Sequence, residues 1–233
     1  MKHLSIIIPA LNESASIVDT LQSLIAIRRT GAEIVVVDGG STDKTVELSS
    51  PLADKVIASE RGRSNQMNAG AEASSGEVLL FLHADTLLPE NAEQYVLAAI
   101  SAGAEWGRFD VRIREKPLML RVVSFMMNAR SRITGIATGD QAIFVRRDSF
   151  NAVGRFPKIP LMEDIVFSRQ MVKRSRPACL RQIVSTSGRR WVKHGVIRTI
   201  LLMWSFRLRF FFGASPSQLA KEYGYTTKDI ESK

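Results

Sequence analysis

Three short stretches place acids or amides directly after an apolar run. "SIIIPALNE" carries Asn12 and Glu13, "IVVVDGGSTD" carries Asp38, Ser41 and Asp43, and "VLLFLHADT" carries His83 and Asp85. Carboxylates ligate hard divalent cations and accept protons from hydroxyls. If the three runs are strands of one sheet, Glu13, Asp38, Asp43 and Asp85 meet at one edge. Four carboxylates there repel unless a cation or a ligand's donor groups answer them, which argues for a divalent metal and a polyhydroxylated or nucleotide ligand. Each stretch also has a plainer reading: Asn12 or Asp85 as a helix cap, Gly39-Gly40 as a tight turn. The Glu163-Asp164 pair in "PKIPLMED" has the look of a helix start, where the dipole favours acids.

The elements that must position these residues follow from periodicity. "LSIIIPA", "AEIVVVDGG", "ADKVIAS" and "EVLLFLHAD" read as buried strands. Between and after them, "NESASIVDTLQSLIAIRR", "STDKTVELSS", "GRSNQMNAGAEASSG" and "LPENAEQYVLAAISAG" read as helices, the third ending at Gly76. This alternation predicts an α/β fold, an open, mostly parallel sheet with helices on both faces. Ligands bind such sheets beyond the carboxyl ends of the strands. After residue 104, "AEWGRFDVRIRE" alternates like a strand with one wet face, and "PLMLRVVSFMMNARSRI" reads as a helix. "TGDQAIFVRR" is a further strand and "MEDIVFSRQMVKRS" a helix. "VKHGVIRTILLMWSFRLRFFFG" reads as one long apolar helix with interspersed arginines.

The chain has 233 residues, 45% hydrophobic and 24% charged, ordinary for a folded protein of one large domain with an appendage. We expect a catalytic region over 1–190, divided into 1–104 and 105–190, followed by basic amphipathic helices over 191–233. The single cysteine, Cys179, excludes an intrachain disulfide and a Cys-rich metal site, and its strand context predicts an inert core thiol. The apolar run before Pro9 is too short for a signal-peptide core, so a cytoplasmic location is expected. The net charge of +9 favours anionic partners, and no acid occurs between Arg169 and Arg209. The uncharged run Thr199 to Phe206 falls far short of the roughly 20 residues that span a bilayer. Residues 193–213 instead suit an anionic membrane surface, with packing on the sheet or a homodimer interface as the competing reading.

"SIIIPALNE", "IVVVDGGSTDKT" and "GEVLLFLHADT", in that order and spacing, resemble the family 2 glycosyltransferases, which have a nucleotide-diphospho-sugar-binding GT-A-like fold. "GDQAIFVRRDSFNAVGRFPKIPLMEDIVFSRQM" looks like that family's acceptor-side segment, and "GRSNQMNAGA" resembles small bacterial members. The resemblance implies that Pro9, Ala10, Asn12 and Glu13 contact the nucleoside and that Asp38 hydrogen-bonds the base. Gly40 and Ala84 fall within the matching donor-side segments. Asp85 aligns with the last acid of the family's Asp-x-Asp motif, which holds Mg²⁺ or Mn²⁺ with the diphosphate oxygens. His83 stands where that motif has its first acid, and either touches metal or diphosphate or holds the loop, the loop being favoured. Arg61 and Arg63 either meet the diphosphate or form a solvated basic turn.

Glu163 and Asp164 fall where the family places its catalytic base, Asp164 being the choice, with inversion at the anomeric carbon implied. Asp140 and Gln141 in "TGDQ" either line the acceptor pocket or form a turn. His194 either assists the leaving group or metal, or simply sits at a helix start. The family's Gln-x-x-Arg-Trp motif is represented by "SGRRW" without its Gln, which argues against processive synthesis. The implied partners are a UDP- or GDP-sugar and a hydroxyl acceptor, lipid-linked on one reading, and not nucleic acid. Two other classes remain: a nucleotide-binding module without catalysis, and a methyltransferase. The methyltransferase fold needs its Gly-rich loop after the first strand, where this chain has "PALNE".

Overall fold

The computed structural model describes residues 3–225, so residues 226–233 of the expected appendage lie outside the described residues. In chain order the elements are β1 (Leu4–Ala10), α1 (Ile17–Ser23), α2 (Ile25–Arg29), β2 (Glu33–Asp38), α3 (Thr45–Ser49), β3 (Lys55–Ala58) and α4 (Arg63–Ala73). There follow β4 (Val78–Phe81), β5 (Thr86–Leu87), α5 (Ala92–Ser101), β6 (Trp106–Ile113), α6 (Leu118–Thr134), β7 (Ile143–Arg146) and α7 (Arg147–Ala152). The chain continues with α8 (Glu163–Arg174), β8 (Ala178–Thr186), α9 (Arg189–His194), α10 (Val196–Phe211) and α11 (Pro216–Tyr223).

One sheet of eight strands runs β3-β2-β1-β4-β7-β6-β8-β5. The first four are mutually parallel, as their run-and-helix alternation predicts. β7 is antiparallel to both its neighbours, β6 and β8 are parallel, and β5 closes the edge antiparallel to β8. β1, β2 and β4 are largely apolar because both their faces are covered. Ile6, Ile8, Ile34, Val36 and Leu80 point to one side with Ile17, Leu21 and Val96. Ile7, Val35, Val37, Leu79 and Phe81 point to the other with Met67, Phe150 and Phe167.

Several expectations are corrected. β6 has no wet face over its first half: Arg108 is fully buried, because α6 covers that side. The guanidinium is answered by Asp110, by Ser131 Oγ at 2.9 Å and by the Asn128 carbonyl at 3.2 Å. "TGDQ" is not strand but a 3₁₀ turn, Gly139–Gln141, with Thr138 and Gln141 forming a capping box. The predicted long carboxy-terminal helix is broken at Gly195, whose φ of +86° and ψ of 131° only glycine adopts readily. α4 stops at Ala73, before Gly76, and Cys179 is half-buried rather than a core thiol.

Gly70 shows how tightly α4 lies on the sheet. A Cβ there would collide with Ile7 Cγ2 and stand 2.8 Å from Val37 Cγ2, both rigid β-branched side chains in the core. Gly70→Ala should therefore destabilise the fold by about 1–2 kcal/mol in denaturant unfolding, overriding the gain in helix propensity.

Candidate active site

The carboxyl ends of β1, β2 and β4 lie side by side, with Ala10 paired to Asp38 and Ile7 to Phe81. The loops they deliver are laced together. Asn12, in the left-handed region at φ +54°, accepts from the Thr42 amide at 2.8 Å, and its own N–H donates to Ser41 Oγ at 2.9 Å. The Glu13 N–H donates to Thr45 Oγ1, and the Ser14 N–H to Asp43 Oδ2. Asp38 is buried and accepts from the amides of Gly40 and Ser41, both at 3.0 Å to Oδ2; Gly40 makes that turn at φ +91°. Gln66 completes the floor. Its amide donates to the carbonyls of Ala10 at 2.8 Å and Val37 at 2.9 Å, holding α4 against the ends of β1 and β2.

The expected gathering of four acids is answered by the protein itself. Asp38 and Asp43 are absorbed by their own turns. Glu13 and Asp85 share one guanidinium: Arg189 Nη2, at the start of α9, lies 2.9 Å from Glu13 Oε2 and 3.4 Å from Asp85 Oδ2. Its hydrogen bond to Glu13, with the charges of Glu13 and Asp85, raises the Arg189 pKa despite partial burial. Arg114 donates to the Asp85 carbonyl at 2.8 Å, and Thr20 Oγ1 to the Ala84 carbonyl at 2.9 Å. Among the described residues, no three His, Cys, Asp or Glu side chains converge on one point as a metal cluster would. The donor set that remains is Asp85, one half-buried carboxylate. That fits a hard cation whose other ligands are a substrate's phosphate oxygens and water.

Beside these loops lies a small cleft, lined by Pro9, Arg63, His83, Gly139, Glu163 and Asp164 among others. It therefore brings donor-side and acceptor-side candidates to one place. His83 Nδ1 is 3.2 Å from Asp140 Oδ1, and its ring lies against Gly139, where any Cβ would strike the imidazole. His83 thus ties the loop after β4 to the 3₁₀ turn. Asp164 opens α8 and accepts from the Gly139 N–H at 2.9 Å and the Ile165 N–H at 2.7 Å. Burial nonetheless raises its pKa. Glu163, buried and with Arg63 Nη1 at 3.6 Å, is pushed up to about 7 by burial and by the charge of Asp164. Burial works to lower Arg63, but the negative charges of Glu163 and Asp140 raise it.

Other candidates stand differently. Arg61 lies in the loop before α4, half-buried. Gln141 is buried and spends its side chain on the Thr138 amide and on Asn128, so it serves the turn. His194 is exposed at the end of α9 and is not among the cleft's lining residues. Sequence reasoning did not find Gln66 or Arg130, and it noted Arg189 only as part of a motif with a missing residue. Arg130 has its pKa lowered by burial, against the opposing charges of Asp164 and Asp140.

In an open α/β sheet, ligands bind in the crevice beyond the carboxyl ends of the strands, where this cleft lies. The chain belongs to glycosyl transferase family 2, whose family model matches residues 5–158. It is 27% identical over 128 residues to the poly-beta-1,6-N-acetyl-D-glucosamine synthase of Staphylococcus aureus. That match takes in 52% of this chain and spans only 31% of the synthase. Among solved structures, it resembles glucosyl-3-phosphoglycerate synthase of Mycobacterium tuberculosis in complex with Mn²⁺, UDP and glucosyl-3-phosphoglycerate. The TM-score is 0.64 at 18% identity, over 86% of this chain and 78% of that one. The mannosyltransferase PcManGT of Pyrobaculum calidifontis, in complex with GDP-Man and Mn²⁺, gives 0.62 at 21% identity, over 94% and 67%. At such identities the structural likeness concerns the fold.

Because the Glu163 pKa stands above its ordinary 4.5, the folded state holds an extra proton between about pH 4.5 and 7. The cost of ionising it is absent below that window and complete above it. Glu163→Gln should therefore stabilise the protein by roughly 1–3 kcal/mol near pH 8, and the gain should vanish near pH 4. Thermal unfolding across pH checks this.

Proposed function

We propose that the chain transfers a single sugar from a UDP- or GDP-sugar to a hydroxyl acceptor, with Asp164 as the base. The observation that carries the reading is the Glu163-Asp164 pair, Glu163 buried and Asp164 half-buried, opening on the same cleft as Pro9 and His83. Asp164 is held by two backbone N–H groups, which fixes the direction of its remaining lone pairs. Burial raises its basicity toward the range useful near neutral pH. As the acceptor oxygen bonds to the anomeric carbon, its proton passes to Asp164. The bond from that carbon to the diphosphate oxygen breaks, and its electron pair leaves with the nucleoside diphosphate. A base on the face opposite the leaving group gives inversion.

On the donor side, the loops of Pro9, Asn12 and Asp38 frame the nucleoside, and Arg63 stands at the cleft mouth for the diphosphate. Asp85 would hold Mg²⁺ or Mn²⁺, and such an ion, when bound, offsets charge on the diphosphate. Arg189 stands between Glu13 and Asp85 and would have to release Asp85 for such an ion to be held there. The acid-free helices α9 and α10 support a lipid-linked acceptor taken at the inner face of the cell membrane.

Two substitutions test the reading. Asp85→Ala should abolish the strengthening of UDP or GDP binding by Mn²⁺ in isothermal titration; unchanged enhancement removes the metal assignment. Asp164→Asn should keep donor affinity while transfer falls by about 10²- to 10⁴-fold, and retained turnover puts the base elsewhere.

A further inference from the structure

The exposed apolar side chains of this protein are not scattered. Seventeen large hydrophobic residues are exposed among those described, and all but Val46, Tyr95 and Ile183 lie between residues 118 and 133 or between 192 and 212. On α6 they are Leu118, Met119, Val122, Phe125, Met126 and Ile133, a stripe at helical spacing. On α10, Ile197, Leu201, Trp204, Leu208 and Phe211 recur every three or four residues along one side. The inner sides of the same helices are packed. Leu120 and Val123 of α6 meet Trp191, Val196 and Ile200, so the two helices are neighbours. Phe206 of α10 is buried with Met162, Ile165 and Leu219. Contiguous exposed apolar surface of this kind marks an interaction site.

Charge identifies what covers it. Neither helix contains an acid: none occurs from Lys116 to Gly139, nor from Ile165 to Lys221. Lys116, Arg121, Lys193 and Arg198 are exposed around the stripes, and the Arg169 guanidinium lies 5.8 Å from the Phe210 ring and 5.9 Å from that of Phe211. A second copy seated here would set arginine against arginine with no acid between them. A layer of anionic headgroups over acyl chains complements both the bases and the apolar stripes. No helix among the described residues is long and apolar enough to cross a membrane, so the contact is with the surface.

We propose that α6 and α10 together form a docking face for an anionic lipid bilayer, lying in the plane of the interface. α9 leads from this face to Arg189 in the donor site, so a docked molecule holds its cleft beside the membrane. The proposal deepens the lipid-side reading above but rests on this surface alone, and its failure leaves the transfer reading standing.

Flotation of the full chain with phosphatidylcholine vesicles, with and without phosphatidylglycerol, tests it. Binding is expected only to the anionic vesicles, and should weaken with salt by about fivefold for each basic residue engaged. The triple variant Phe125→Ser, Leu201→Ser, Trp204→Ser should lose at least about tenfold in vesicle affinity. It should keep its unfolding midpoint and its UDP or GDP binding, because the three side chains lie outside the packed clusters. The charge reversal Arg121→Glu, Arg198→Glu should lose the anionic preference without touching the apolar stripes. Equal binding to neutral vesicles, no binding to either, or a dimer in light scattering that the triple variant abolishes would each overturn the proposal.

Discussion

Parallel strands bring their carboxyl ends to one edge, and in this protein those ends are acidic. Everything near the cleft is arranged by the need to answer those charges within a few ångströms. Backbone N–H groups answer Asp38 and Asp164, while Thr45 and Ser14 answer Asp43. The imidazole of His83 answers Asp140, and the guanidinium of Arg189 answers Glu13 and Asp85 together. At the Glu163-Asp164 pair, burial outweighs the Arg63 guanidinium and the backbone N–H groups, and there the pKa values rise.

The same constraint explains why distant parts of the chain are interdependent. Arg189 lies 176 positions from Glu13, yet α9 starts where it does because β8 ends beside the loops of β1 and β4. Gly188 is pressed onto Glu115 and Ile113 at that junction, and the Gly188 N–H donates to Glu115 Oε2 at 2.5 Å. The loops after β1 and β4 therefore owe their electrostatic balance to the carboxy-terminal third.

How much of this could be read from the residues depends on range. The four parallel strands and their helices were legible because burial on both faces leaves unbroken runs such as Ile6-Ile7-Ile8 and Val35-Val36-Val37. The chemistry at the strand ends was legible for the same reason, since each acid follows its run directly. Contacts set by tertiary geometry were not. Arg108 looks like a wet-face residue until α6 is laid over it, and Gln66 is an ordinary helix residue until the ends of β1 and β2 come within reach. The role of Arg189 depends on a spatial pairing for which local spacing carries no signal. The break at Gly195 was within reach, because a glycine inside an apolar helical pattern is a warning.

α10 is at once outer surface and structural member. Its outward stripe is the kind of feature that invites trimming when a protein proves sticky to purify. Its inward side, through Phe206, Val196 and Ile200, is what keeps Leu120, Val123, Met162 and Ile165 from water. Cutting the chain at residue 195 would exchange one apolar surface for another and remove support from the helix that presents Asp164. Solubility is better sought by polar replacement along the stripe, leaving the helix in place.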